Sequence, residues 1–561
     1  MDYQWTYQDA DQGMVDALHD ELKINSVLCE LLVKRNIESY EAAKCFFRPS
    51  LDELHSPFLM ANMDKAVTRI ERAMKNGEKI LIYGDYDVDG TTSVSLCYLF
   101  FKQFYAKLDY YIPDRSKEGY GISLEGIDYA ALNQCTLIVA LDCGIKALDK
   151  VDYANEREID FIICDHHTPG TELPKAYAIL NPKQQECAYP YKELSGCGIG
   201  FKLCQAYAEK NFIKKEKLYQ FLDLVCISIA CDIVPITGEN RVLAKFGLEQ
   251  LNEKPSIGVG KLVTLIDLGN NFTISDVVFK IGPRINAAGR IAHAKAAVQV
   301  LIGEEEGAVL QSNNEERQQL DKSITENALL YLDSIENINL VTNVLFNPSW
   351  HKGVVGIVAS RIIEHHYKPT VVLCESNGNL TGSARSVKGF NVYEPLKACS
   401  DLMISFGGHA YAAGLTLPPE NLEEFKRRFN AEVAHRINPE DLIPKISIDI
   451  LLSLNNITPS FYKILQQFSP FGPGNMRPIF ESQSLSDTGY SRIVGADHLK
   501  LQLKDDQGNR INGIAFRMAD KLSLLKEGKI DVSYVLDENH WNGRKTLEIN
   551  VKDIRRSQIE K

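Results

Sequence analysis

Four short apolar segments of this chain run straight into acidic residues, and that arrangement restricts the fold more than any other feature of the sequence. Ile80-Leu81-Ile82-Tyr83 precedes Gly84-Asp85-Tyr86-Asp87-Val88-Asp89-Gly90, and Leu137 to Leu141 precedes Asp142-Cys143-Gly144. Phe161 to Cys164 precedes Asp165-His166-His167, and Val225 to Ala230 ends at Cys231-Asp232. Continuous apolar runs that alternate with helical stretches such as Thr91 to Phe104 predict a parallel sheet covered on both faces. The carboxyl ends of the strands in such an open sheet share one edge, where ligands bind. All four acidic clusters are expected on that edge.

An isolated Asp-x-Asp is ordinarily a solvated turn, but several carboxylates gathered at one edge cannot all remain ionised unaided. Divalent cations resolve the conflict by supplying positive charge and oxygen-coordination sites. An imidazole among the ligands moves the preference from magnesium or calcium toward manganese. Two such ions support in-line displacement at phosphorus. The expected cofactors are therefore two divalent metal ions, Mn2+ or Mg2+.

Asp-x-Asp-x-Asp-Gly, the isolated Asp142, the Asp165-His166-His167 triplet and Asp232, in that order, resemble the four motifs of the DHH phosphoesterases. The resemblance implies Asp85, Asp87, Asp89, Asp142, His166 and Asp232 as metal ligands, and a catalytic or supporting role for His167 and Asp165 beside His166. Gly407-Gly408-His409 with Gly414, downstream of Gly382-Ser383-Ala384-Arg385-Ser386, resembles the DHHA1 domain of the same superfamily. Paired glycines let backbone N–H groups approach a phosphate, and Ser383, Arg385 and His409 can donate to its oxygens. A tight turn before a helix is the plainer reading of a lone Gly-Gly-His. His351 to Arg361 reads as a turn entering a helix.

Length and the later segments select a branch of the superfamily. At 561 residues the chain exceeds one hydrophobic core, and it continues more than a hundred residues past the DHHA1-like part. Gly282 to Arg290, His351 to Gly356 and Phe471-Gly472-Pro473-Gly474-Asn475 are similar to the RecJ family. The expected architecture is α/β: a helical segment over 1–60, a parallel-sheet DHH domain over 61–304, a connecting helix over 305–335, a DHHA1 α/β domain over 336–438 and an OB-like β-barrel over 439–561. The connecting helix is polar for a long stretch, as in helices that bridge domains or line grooves. Alternation at Leu499-Leu501-Leu503 and Ile511-Ile514, with hairpin signals at Asp506 to Asn509 and Asn542-Gly543, supports the barrel.

RecJ resemblance implies 5′-to-3′ hydrolysis of single-stranded DNA to mononucleotides in repair and recombination, by a monomer that meets single-strand-binding protein and a helicase. Arg115, Arg284, Arg290 and Arg385 are candidates for DNA phosphates, with Gly407, Gly408 and His409; Tyr490, Arg492, His498, Lys500 and Arg517 are candidates in the barrel. Gly196-Cys197-Gly198-Ile199-Gly200 is expected to be a packing turn, since no strand leads into it. The alternatives are a phosphodiesterase of short oligonucleotides or cyclic dinucleotides, and a non-catalytic DHH scaffold. The filled acidic positions argue against the scaffold.

Composition adds boundaries. A net charge of −12 gives no global sign of a polyanion ligand, but local basic clusters are invisible to such a sum. Thirteen cysteines scattered through apolar segments, with no CxxC pair, read as buried thiols of a reducing compartment. No secretory signal or membrane-spanning run is legible, so a cytoplasmic location is expected.

Overall fold

The computed structural model describes residues 3–557 apart from 267, 270, 335–339 and 542–543. The chain forms two compact units. The first comprises Tyr7–Gly289, His293–Leu310 and Ser447–Lys561; the second comprises Met1–Thr6, Arg290–Ala292 and Gln311–Ile446.

In the first unit the apolar segments become strands β1 (Lys79–Gly84), β2 (Leu108–Tyr111), β3 (Cys135–Leu141), β4 (Asp160–Cys164) and β5 (Ala178–Leu180). They pair in the order β2-β1-β3-β4-β5, and every ladder is parallel. Ile80, Ile82, Leu137 and Val139 point into one core, while Leu81, Tyr83, Ile138 and Ala140 point into another across the sheet. Burial on both faces is why these strands lack polar alternation. Strand order reverses between β1 and β3, the topological switch point of such a sheet. Asp85 follows β1 and Asp142 follows β3.

The fourth apolar segment departs from the strand pattern of the other three. Val225 to Ala230 lies within the helix Leu222–Cys231, in which every residue from Leu222 to Ala230 is buried. A helix buried on all sides carries an unbroken apolar run that periodicity cannot separate from a strand. Asp232 thus reaches the sheet edge from a helix C-terminus. The 196–200 glycines are not a turn before a helix but the first residues of the helix Gly196–Lys210, capped by Ser195 Oγ accepting from Gly198 N–H.

The long helix expected over 305–335 is Ala308–Ser334, and from Gln311 onward it belongs to the second unit. Its polar stretch is partly buried: Arg317 donates to Asn314 Oδ1 at 2.6 Å and pairs with buried Asp321, which Arg361 also contacts at 2.7 Å. Ile324, Ala328 and Leu332 pack with Trp350, Val354 and Val358. Strands β6 (Asn343–Phe346), β7 (Thr370–Ser376), β8 (Asn379–Arg385), β9 (Ser405–His409) and β10 (Ala412–Leu417) form a mixed sheet in the order β9-β10-β8-β7-β6. His351 to Arg361 does enter a helix, Val355–His365.

The C-terminal part of the first unit contains β11 (Ile450–Leu451), β12 (Phe480–Asp487), β13 (Arg492–Val494), β14 (His498–Lys504), β15 (Arg510–Ala515), β16 (Ile530–Trp541) and β17 (Arg544–Arg556). The order β11-β12-β16-β17-β15-β14-β13, with an added β12–β14 pairing, closes a five-stranded barrel as in OB folds. Leu499, Leu501 and Leu503 all point inward. Asp506 to Asn509 forms the β14–β15 hairpin; Asn542-Gly543 lies outside the described residues. The N-terminal helices Gln12–Leu22, Ser26–Val33 and Tyr40–Phe47 share one core with this barrel, through Leu18, Leu32 and Phe46 against Phe461, Phe468 and Phe480. All cysteines but Cys45 and Cys231 are buried, and all are free. Among the described residues no helix is long and apolar enough to cross a membrane.

One buried cation ties these parts together. Arg241, 5% exposed, donates to the carbonyls of Phe46, Gln467, Phe468, Ser469 and Pro470, and its guanidinium lies 3.7 Å from the Phe46 ring centroid. Burial, together with nearby Arg35, lowers its pKa to about 9, so it stays charged at neutral pH. Arg241→Ala removes a donor from each of those carbonyls, of which Phe468 O and Pro470 O keep another from Asn475. It is expected to cost about 3 kcal/mol or more in urea unfolding, with Arg241→Lys recovering only part.

Candidate metal centre

Asp85 is fully buried beyond β1; its Oδ1 accepts from Gly121 N–H at 3.1 Å, and its Oδ2 has no hydrogen-bond partner among the described residues. Asp87 caps the helix Val88–Lys102, accepting from Gly90 N–H at 3.0 Å. Asp89, in the first turn of that helix, accepts from Gly196 N–H, Cys197 N–H and the Ser228 hydroxyl, each at 2.7 Å. The two amides open the helix Gly196–Lys210, whose positive end therefore faces this carboxylate. Asp142 has φ 59°, a left-handed conformation that Asp tolerates, and its buried Oδ1 is unpaired. A Cβ at Gly196 would stand 2.6 Å from Asp142 Cβ, so the approach of helix to carboxylate requires glycine there.

Asp89, Asp142 and Asp232 converge on one ring atom. His166 Nε2 lies 3.3 Å from Asp142 Oδ1, 3.4 Å from Asp232 Oδ2 and 3.8 Å from Asp89 Oδ2. Two overlapping sets have metal-ligand spacing: Asp89, His166 and Asp232, and Asp142, His166 and His167. Asp85 and Asp87 fall outside both sets, but the charge of Asp87 still raises Asp85, Asp142 and Asp232. Burial, and after it mutual repulsion, pushes Asp85 and Asp142 well above the carboxylate range, raises Asp87, and takes Asp232 to about 9. Burial lowers His166, favouring the neutral ring that a ligand needs; neither of its nitrogens has a hydrogen-bond partner. Unpaired buried oxygens, a neutral imidazole and surplus negative charge form a donor set that fits divalent ions.

The neighbouring residues of the triplet are placed differently. Asp165 uses both oxygens: Oδ2 accepts from Ile145 N–H at 2.9 Å, and Oδ1 accepts from His167 N–H at 3.0 Å and meets His167 Nδ1 at 2.8 Å. Burial would raise Asp165, but these bonds outweigh it and hold the carboxyl below its ordinary value. Burial opposes protonation of His167, yet the bond to Asp165 prevails and raises it. His167 Nε2 faces Tyr120 Oη at 3.3 Å, and that hydroxyl also reaches Asp142 O at 3.3 Å.

The proposed phosphate contacts are spread over both units. In the first, Arg115 stacks over Tyr86 at 5.0 Å, and Arg284 donates to Lys280 O. In the second, Arg290 donates to Gly353 O, while Arg385 donates to Ser383 Oγ and Ala384 O. Gly407, Gly408 and His409 form β9 of a hairpin, not a turn before a helix. Register aligns His409, Ala412 and Arg385 in one row and Gly407, Gly414 and Ser383 in the next-but-one, so all share a sheet face. A Cβ on Gly356 would meet Arg385 Nη2 and Ser383 Oγ, which places the helix Val355–His365 start on that face. In the barrel, Arg492 pairs with Lys500 across β13 and β14, Tyr490 is 68% exposed, and His498 accepts from Arg517 N–H.

Sequence reasoning missed Gly196, Cys197, Ser228 and Tyr120. The signals were present but oblique: Ser195 as a cap before closely spaced glycines, and Tyr120 between Gly119 and Gly121, both with positive φ.

The chain matches the DHH family N-terminal domain over residues 79–229, the DHHA1 domain over 337–435 and the RecJ OB domain over 448–553. It is 35% identical to the single-stranded-DNA-specific exonuclease RecJ of Bacillus subtilis, over 98% of this chain and 70% of that protein. To the protein of the same name from Salmonella typhimurium it is 32% identical, over 88% and 90%. The crystal structure of RecJ in complex with Mn2+ from Thermus thermophilus superposes with a TM-score of 0.86 at 25% identity, covering 99% of this chain and 80% of that one.

Relieving the crowding at one carboxylate is expected to separate stability from metal binding. Asp142→Asn should melt about 1 °C higher than the unaltered chain in chelator, the response to ~1 kcal/mol in a unit of roughly four hundred residues. It should also lose the stabilisation of about 2.7 kcal/mol that a ligand at a hundredfold excess over Kd confers. Thermal melts with and without Mn2+ check both signs.

Proposed function

The chain belongs to the RecJ family of single-stranded-DNA-specific exonucleases, and from that membership we propose that it hydrolyses single-stranded DNA from the 5′ end to mononucleotides. The observation that carries the reading is the convergence of Asp89, Asp142 and Asp232 on His166 Nε2. In this reading Asp85, Asp87, Asp89, Asp142, His166 and Asp232 hold two divalent ions, Mn2+ or Mg2+. When bound, these ions supply Lewis-acid stabilisation of the charge that builds on the phosphoryl oxygens.

The remaining groups bind, orient and move protons. Asp165 fixes the His167 ring through Nδ1 and favours its protonated form, so Nε2 can donate to a phosphoryl or leaving oxygen that takes the place of Tyr120 Oη. His166 stands neutral among carboxylates and serves as a ligand. Arg115, Arg284 and Arg290 contact DNA phosphates; Ser383, Arg385 and His409 present donors along one sheet face, which Gly407 keeps open. The barrel grips the strand through exposed Tyr490 and the Arg492–Lys500 pair. The enzyme works as a cytoplasmic monomer in repair and recombination, with single-strand-binding protein and a helicase as partners.

Strands labelled at either end, with matching duplex, test the reading in Mn2+ or Mg2+. The 5′ label is expected to leave first as a mononucleotide, and blunt duplex to resist. Asp142→Ala should slow hydrolysis by about a hundredfold or more, ~2.7 kcal/mol, while DNA binding persists. Activity within tenfold of the unaltered enzyme would sink the assignment.

A separate expectation concerns the second unit. His409→Ala and Arg385→Ala should each slow cleavage roughly ten- to a hundredfold, the loss of one charge-assisted phosphate contact. Mn2+ stoichiometry should not change. Loss of metal, or normal cleavage, would return these residues to a structural role.

A further inference from the structure

Phe471-Gly472-Pro473-Gly474-Asn475 belongs to the C-terminal part of the chain, yet it lies directly on the segment that follows Asp232. Ile236 N–H donates to Pro473 O at 2.7 Å. Gly472 abuts the buried Ile236 side chain, and Gly474 abuts Thr237 and Pro235. Such contacts matter because of what stands between them and the carboxylate. Ile233, the residue after Asp232, has φ 61° and is 68% exposed. A β-branched residue does not adopt the left-handed region by preference, so its neighbours must impose it. Val234 packs into the core, and Pro235 O accepts from Tyr191 Oη at 3.1 Å and Asn240 Nδ2 at 3.0 Å. The next anchor along the chain is the Ile236–Pro473 bond.

The loop is itself fixed. Asn475, 2% exposed, donates through Nδ2 to Phe468 O and Pro470 O, and its Oδ1 accepts from Arg35 Nε. Gly472 and Asn475 exchange backbone hydrogen bonds at 3.0 and 2.8 Å. Arg241 holds the carbonyls of the preceding turn. A loop anchored in this way can set the position of what rests on it, whereas a loop without such bonds would follow it.

We propose that the loop Phe471–Asn475 is a positioning element of the metal centre: it fixes 233–237 and through them the placement of Asp232, so the C-terminal module contributes to metal affinity as well as to nucleic-acid binding. The inference rests on the reading of Asp232 as a metal ligand. Adhesion between domains alone would leave metal affinity untouched by changes in the loop, and that difference is measurable.

The test is Mn2+ titration of the full chain, with free Mn2+ followed by its EPR signal and folding by melting temperature. Gly472→Ala is informative because Gly472 does not need a left-handed φ; the added Cβ overlaps Ile236 Cδ1, an atom that Ile236→Val removes. Gly472→Ala is expected to weaken Mn2+ binding about tenfold, the effect typical of residues that orient ligands. The double variant Gly472→Ala/Ile236→Val should return to within about twofold of Ile236→Val alone, since the two positions are in contact and couple. A folded Gly472→Ala with unchanged affinity, or a loss that Ile236→Val does not rescue, overturns the proposal. Hydrogen exchange on the unaltered chain adds a check without variants: Mn2+ should slow exchange at Ile236 more than at barrel amides remote from the centre, and slowing no greater there overturns the proposal too. Asp232→Asn separates the two readings. If it keeps full Mn2+ affinity, the ligand assignment fails and this inference with it; if it loses Mn2+ while Gly472→Ala does not, only the inference fails.

Discussion

Asp85, Asp87, Asp89, Asp142 and Asp232 repel one another at one sheet edge, three of them buried and Asp87 and Asp232 half-buried, and the first unit is organised around holding them there. Each is delivered at a fixed point of rigid structure: just past the ends of two parallel strands, at the N-cap and first turn of one helix, and at the C-cap of another. The core on both faces of the sheet supplies the apolar burial that offsets this crowding. Without metal the cluster is a standing source of instability, relieved in part by protonation; with metal the same crowding becomes affinity. A site of this kind needs a scaffold stiffer than the repulsion it contains.

That requirement explains why distant parts of the chain meet near the centre. The helix that delivers Asp232 continues into a segment braced by residues more than two hundred positions later. The N-terminal helices share a core with the barrel, so the first sixty residues do not stand as a separate body. Arg241 joins all three parts by satisfying carbonyls from Phe46 and from the turn before the 471–475 loop. A single cation can do this because backbone carbonyls, unlike carboxylates, leave its charge formally uncompensated and its fork free to bond in several directions.

How much of this was legible depended on whether side chains or backbone carried the information. The β1, β3 and β4 ends were readable because buried parallel strands write themselves as unbroken apolar runs, with the chemistry placed directly after them. The same rule misread the run before Asp232, since a helix buried on every side produces the same pattern. The RecJ-like segments at 351–356 and 471–475 could be recognised, but their physical use could not; the second works through Pro473 O and two small residues that make room. Gly407-Gly408-His409 was legible as a phosphate-binding motif but not as a strand, because glycines are poor strand formers; pairing with β10 makes it one. The partners of Asp89 stayed hidden for a simpler reason. Two are backbone amides, which no side-chain pattern announces.

The choice of those partners has its own logic. A lysine or arginine against Asp89 would have satisfied its oxygens equally well, but it would have brought a full positive charge to a place where cations are to bind, and would have competed with them. Amides at a helix start orient a carboxylate through dipoles and partial charge, roughly half an elementary charge spread over the first turn. Ser228 adds a third hydrogen bond with no charge at all. Asp89 is thereby held to within a hydrogen bond's tolerance while nearly all its negative charge remains available. The imidazole opposite, His166, follows the same rule: burial keeps it neutral, so it contributes a lone pair in place of a competing cation. Groups that favour or carry positive charge stand beside it: His167, whose protonation Asp165 favours, and Arg115 on the Tyr86 ring. The centre thus keeps its neutral ring and unpaired carboxylate oxygens apart from the side chains that carry or favour positive charge.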